Sequence, residues 1–256
     1  MKIIIPMTGL GMRFIKAGYK QIKPLIPIHS KPMVEHVIDL FPGETDFLFL
    51  CREEHLNSTP LAQVLKTAKP TGTILSLKGE KLGPVFPVTQ AFDAINDDEP
   101  VIVSYCDYFM NWDYIAFKKR VEHTGSDGDV VCYTGFHPHL RHAKNIYAGC
   151  LINAKKQLLT IQEKHAFGDN KMTGYHSAGL YYFKKGRDIK TYFPKLIKAN
   201  RHINGEFFVS MVYQLMLEDQ CHITVFDEIT HFCQWGTPED LEEYLDWEKI
   251  MKRWPV

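Results

Sequence analysis

Three consecutive β-branched residues, Ile3-Ile4-Ile5, run almost directly into a loop with glycines at positions 9 and 11. A short, continuous apolar run of this kind suits burial on both faces, the environment of a strand inside a parallel sheet. Residues 47–50, 73–77 and 101–103 read as three further strands, and residues 61–68 and 85–95 as helices between them. Another helix opens near Pro32, where proline suits the first turn. Alternation on this scale argues for βαβ units with right-handed crossovers.

The second half reads differently. Residues 130–134, 148–152, 158–161 and 180–183 have strand character, with few helices among them. Helices return at 206–217 and at 238–252, the latter N-capped by Thr237. No repeat, linker or sharp change of composition divides the 256 residues, a length that one large core can still accommodate. The expectation is one α/β domain over residues 1–256 with a mixed, mostly parallel central sheet, its first half running to about residue 125 and its second from about residue 126.

Composition narrows the function classes. Thirty basic residues balance thirty acidic ones, so there is no broad basic field for non-specific nucleic-acid binding, although a local pocket for a small anion stays open. No stretch approaches the roughly 20 apolar residues that cross a bilayer, and the N-terminal apolar run is too short for a signal-peptide core. The six cysteines include no C-x-x-C pair, which suggests neither a zinc site nor a disulfide framework. The expectation is a cytoplasmic, reduced protein without nucleic-acid or membrane partners.

The loop Met7-Thr8-Gly9-Leu10-Gly11-Met12-Arg13-Phe14 follows the first strand. Glycines let backbone N–H groups approach a phosphate, and an arginine adds a bidentate fork. Ten residues on, Lys23-Pro24-Leu25 supplies a second cation on a stiffened segment. Taken singly, these features describe a tight turn and a surface charge. Together, G-x-G-x-R-F, then K-P-L, then Lys31-Pro32-Met33 opening a helix, the chain resembles the sugar-phosphate nucleotidyltransferase family, of which glucose-1-phosphate thymidylyltransferases and related cytidylyltransferases are members. No G-x-x-x-x-G-K-[ST] occurs, which excludes the P-loop, and Phe14 replaces the third glycine of a dinucleotide fingerprint.

That resemblance implies a Rossmann-like (GT-A-like) fold and a reaction joining a nucleoside triphosphate to a sugar-1-phosphate with loss of pyrophosphate. The NDP-sugar product would serve surface polysaccharide synthesis. Arg13 and Lys23 become the catalytic cations. Asp107, at the carboxyl end of the strand at 101–103, matches the family's Mg²⁺-binding aspartate, although an aspartate there could also merely turn the chain toward a helix at Asp113. A second metal aspartate is expected two residues before the glycine of Gly236-Thr237-Pro238-Glu239-Asp240-Leu241; Gln234 occupies that position, and Glu206 is a substitute carboxylate.

For the acceptor, the family order points to Tyr147, Gly149, Glu163, Lys164, Gly179 and Glu206. Lys164 would neutralise the acceptor phosphate, Glu163 would accept from its hydroxyls, and Gly149 would leave room where backbone meets ligand. Pro6, Met7, Gly9, Gly11, Lys78 and Gly83 are assigned to the nucleotide. Pro84-Val85-Phe86-Pro87 departs from the small-residue run common in relatives, so CTP, UTP, dTTP and GTP all stay open. The histidines at 137, 139 and 142 read as solvated loop residues. Rival readings are a cytidylyltransferase acting on phosphocholine or a polyol phosphate, and an inactive nucleotide-sugar-binding protein. A glycosyltransferase is disfavoured because Asp107-Tyr108-Phe109 provides no D-x-D motif.

Overall fold

A computed structural model describes residues 1–80 and 82–253. Strands β1 (Lys2–Met7), β2 (Phe47–Arg52), β3 (Thr73–Leu77) and β4 (Val101–Ser104) lie parallel in the spatial order β4-β1-β2-β3. Ile3, Ile4 and Ile5 are fully buried because both edges of β1 are paired and both faces are covered. The connections carry α1 (Met12–Lys16), α2 (Met33–Ile38), α3 (Glu53–Ser58), α4 (Leu61–Ala68) and α5 (Val85–Thr89).

Beyond β4 the chain forms β5 (Tyr108–Trp112), α6 (Tyr114–Thr124), β6 (Gly128–Tyr133), β7 (Gly149–Ile152), β8 (Leu158–Gln162) and β9 (Tyr175–Phe183). Then come α7 (Gly186–Lys198), α8 (Val209–Glu218), β10 (Ile223–Phe226), β11 (Ile229–Gln234) and α9 (Pro238–Arg253). The nine-residue β9 joins the two halves: one edge meets β4 and β7, the other meets β6, all antiparallel. β10 then adds to β6 in parallel. The result is a mixed nine-stranded sheet. β5 and β11 form a separate antiparallel ribbon.

Two hydrophobic clusters cover the faces of the sheet. A third joins Phe14, Ile26, Ile28, Met33, Cys233, Trp235 and Leu241, pinning the first glycine loop against the start of α9. Burying an aromatic such as Phe14 contributes roughly 1.5–3 kcal/mol, enough to hold a loop whose backbone has few bonds of its own.

Several boundaries differ from the sequence-based expectation. α5 stops at Thr89, whose hydroxyl donates to Phe86 O at 2.7 Å, and the next amides take tighter i→i−3 bonds. α7 was not expected; Pro194 lies inside it, and an internal proline weakens a helical pattern. Thr237 does cap α9, its hydroxyl accepting from Asp240 N at 3.2 Å.

Candidate active site

Asp107 lies between β4 and β5, at the carboxyl edge of the parallel block, where open α/β sheets bind ligands. Lys23, in a one-turn 3₁₀ segment, is ion-paired with its Oδ2 and also donates to Gly236 O at 3.2 Å. The two side chains are only 19% and 25% exposed, so the pair is half-desolvated yet open to a ligand. Gly11 has φ +67°, and a Cβ there would lie 3.3 Å from Lys23 Cβ. Only glycine takes that backbone freely and also leaves the lysine its place. The Phe14 ring lies 5.7 Å from Lys23 Nζ. Arg13 is exposed on α1 and makes no ion pair with another described residue.

The ribbon brings the late segment to this point. Its register sets Gln234 opposite Tyr108, and Trp235 N donates to Asp107 O at 2.8 Å. A Cβ on Gly236 would come within 2.9 Å of Gln234 Nε2 and 3.4 Å of Asp107 Oδ2, so the glycine keeps a small cradle clear beside both side chains. One carboxylate with one amide suits a hard divalent cation that arrives on substrate phosphates. Among the described residues, no cluster of three or more His, Cys, Asp or Glu side chains could hold a metal unaided.

Behind Gln234 stands a polar network that the sequence reading passed over. Asp240 is buried and ion-paired with His139, and its Oδ2 accepts from Thr237 Oγ1 at 2.9 Å and Gln234 Nε2 at 3.3 Å. That ion pair raises the His139 pKa against the opposing effect of burial. His137 is buried as well, with its Nδ1 3.0 Å from Tyr147 OH, and burial drives its pKa down to about 4. These two histidines are therefore not solvated loop residues. A cavity of about 620 Å³ opens on the far side, lined by Phe136, His137, Phe232, Gln234, Tyr244 and Trp247 among others.

The expected acceptor residues divide. Glu163 and Lys164 meet the segment that follows Glu206, through Ser210 and Phe208, and Gly179 reaches it by way of Tyr105. Ser210 Oγ donates to Glu163 Oε2 at 2.5 Å, and Lys164 Nζ lies 4.7 Å from the centre of the Phe208 ring. Gly179, at φ +88°, would place a Cβ 3.1 Å from Tyr105 Cδ2, while Tyr105 OH accepts from Val209 N at 3.4 Å. Burial pushes the Glu163 carboxyl up to about 6, against the Ser210 bond. Tyr147 has a buried side chain whose hydroxyl is engaged with His137. At Gly149 a side chain would run into the His165 carbonyl oxygen, so close packing by itself requires glycine there.

On the nucleotide side, Pro6 and buried Met7 end β1, Gly9 is exposed, and Lys78 is exposed just past β3. Gly83, at φ +82°, is held by close packing, a Cβ there falling 2.6 Å from Phe207 O. That contact ties the loop to the Glu206 segment. Sequence reasoning missed Arg52, which donates to Thr8 O at 3.1 Å and fills the space a side chain on Gly79 would need.

Lys23, Asp107 and the loop bearing Gly11 thus meet at one edge of an α/β sheet. The model of the family described as nucleotidyl transferase matches residues 2–244. The chain belongs to that family. It is 27% identical over 126 residues to a UTP–glucose-1-phosphate uridylyltransferase of Escherichia coli (strain K12), a match covering 40% of this chain and 42% of that protein. The chain thus spans less than half of that relative. A nucleoside-diphosphate-sugar pyrophosphorylase from Vibrio cholerae RC9 superposes with a TM-score of 0.73 at 22% identity, covering 95% of this chain and 99% of the other. An inositol-1-phosphate CTP transferase from T. maritima gives 0.70 at 14% identity, covering 95% and 92%. At these identities both show the fold.

Proposed function

We propose that the protein joins a nucleoside triphosphate to a phosphorylated sugar. An acceptor phosphate oxygen attacks the α-phosphorus in line, the new P–O bond forms, and the bond to the β-phosphate oxygen breaks to release pyrophosphate. The observation that carries this is the Lys23–Asp107 pair at the sheet edge, with Gly11 on one side and Gln234 and Gly236 on the other.

Each residue has a distinct task in this reading. Backbone around Gly9 and Gly11 admits the triphosphate, and Arg13 neutralises charge on the departing pyrophosphate. Lys23 moves from Asp107 toward the α-phosphate when ligand enters. Lys164 holds the acceptor phosphate, and Glu163 accepts from its hydroxyls. Asp107, with Gln234 beside it, would hold Mg²⁺, which when bound neutralises phosphate charge. No side-chain nucleophile is needed, because positioning and charge do most of the work in phosphoryl and nucleotidyl transfer.

The test is Mg²⁺-dependent pyrophosphate release over a panel of four triphosphates with sugar-1-phosphates, polyol phosphates and phosphocholine. Turnover with a sugar phosphate is expected, and Asp107→Asn should abolish it while metal-free nucleotide binding persists. Release with no acceptor at all, or full activity in Asp107→Asn, would defeat the reading.

A further inference from the structure

The Gln234 amide carries no charge, yet a carboxylate stands directly behind it. Asp240 is 7% exposed, and three donors meet its two oxygens: His139 on Oδ1, with Thr237 Oγ1 and Gln234 Nε2 on Oδ2. An acidic residue three places after a threonine N-cap ordinarily turns back to the cap backbone amide. Here it bonds instead to a side chain six residues earlier and to one on the loop after β6. A carboxylate can only accept, so it takes hold of the amino end of an amide and never the carbonyl end.

We propose that Asp240 is a positioning residue that clamps Gln234 by its NH₂ group, leaving Gln234 Oε1 as the oxygen that completes the cation site at Asp107. The second acidic charge of the site is thus kept, one amide further back, and His139 and Thr237 hold it in place. The Gly236 cradle matters for the same reason, since a side chain there would strike the amide nitrogen so held. This inference rests on the proposed function, in which Asp107 and Gln234 face the metal.

The clamp is testable without turnover. In ¹⁵N spectra of the metal-free protein, the Gln234 NH₂ pair should exchange slowly. Asp240→Asn should shift it and speed its exchange, because a side-chain amide at that position can meet either end of the glutamine. Calorimetric Mg²⁺ titration, with a non-hydrolysable triphosphate present, then compares wild type, Gln234→Ala, Asp240→Asn and the double variant. Each single change should weaken Mg²⁺ binding about tenfold. The double variant should bind no more weakly than Gln234→Ala alone, because without the amide Asp240 has nothing left to position. A helix cap alone predicts losses that multiply. That result, or an unaltered Gln234 signal in Asp240→Asn, would overturn the inference. If Asp107→Asn also left Mg²⁺ binding intact, the metal site itself would be wrong, a failure distinct from losing the clamp alone.

Discussion

Arg13 is exposed and makes no ion pair with another described residue, so its contribution is free to be read by mutation. Arg13→Ala should lower kcat/KM by about 100-fold or more through loss of a bidentate contact to the departing phosphates, with the melting temperature unchanged. Steady-state kinetics alongside a thermal melt checks both halves. Glu163 gives a pH signature. Burial has raised its pKa from the ordinary 4.5 to about 6, so it loses its accepting charge as pH falls through that value. Acceptor KM should therefore rise between about pH 7 and pH 5. Ser210→Ala, which removes the bond favouring the charged form, should move that rise to higher pH. Glu163→Gln should flatten it.

At the level of elements, close packing at the His165 loop already requires glycine at 149. Gly149→Ala should cost about 1–3 kcal/mol, because the clash is with backbone of the loop at His165, which cannot swing aside. A denaturation series would read it, and an unchanged midpoint would mean that the loop yields. The parallel block was legible in the sequence, since Ile3-Ile4-Ile5 and the runs at 47–50 and 101–103 are too apolar for anything but buried strands. The G-x-G-x-R loop, Lys23 and Asp107 were singled out by their combined order along the chain and the resemblance it carries, and the structure sets Lys23 against Asp107. His139 and Asp240 were not: they lie 101 residues apart, and no local pattern announces their pairing. Thr237-Pro238-Glu239-Asp240 carried a partial signal as a capping sequence. Nor does local order say which face a buried tyrosine such as Tyr147 takes.

The whole molecule has its own pH dependence. Asp129, buried within β6, accepts from Thr224 Oγ1 at 2.6 Å and Phe226 N at 3.0 Å, yet burial pushes its pKa up from 3.8 to about 7. With the folded value above the unfolded one, its contribution is complete below the unfolded value and is lost as pH rises toward 7. Asp129→Asn keeps both partners and removes the titration. The variant should therefore gain on wild type in melting temperature from about pH 4 to about pH 7, and the two curves should run parallel above that. Parallel curves throughout would place the charge elsewhere.

β9 carries a consequence for how the protein is made. It closes the free edge of β4, yet it is translated roughly 70 residues after that strand, with β6, β7 and β8 in between. At cellular elongation rates of about 5–20 residues per second, the nascent chain carries β4 with one bare edge of unpaired N–H and C=O groups for on the order of ten seconds. During that interval the first half resembles an unfinished sheet offering a strand-pairing site to any neighbour. Ribosome pauses between residues 104 and 183 should then favour co-translational aggregation, whereas pauses after Phe183 should be harmless.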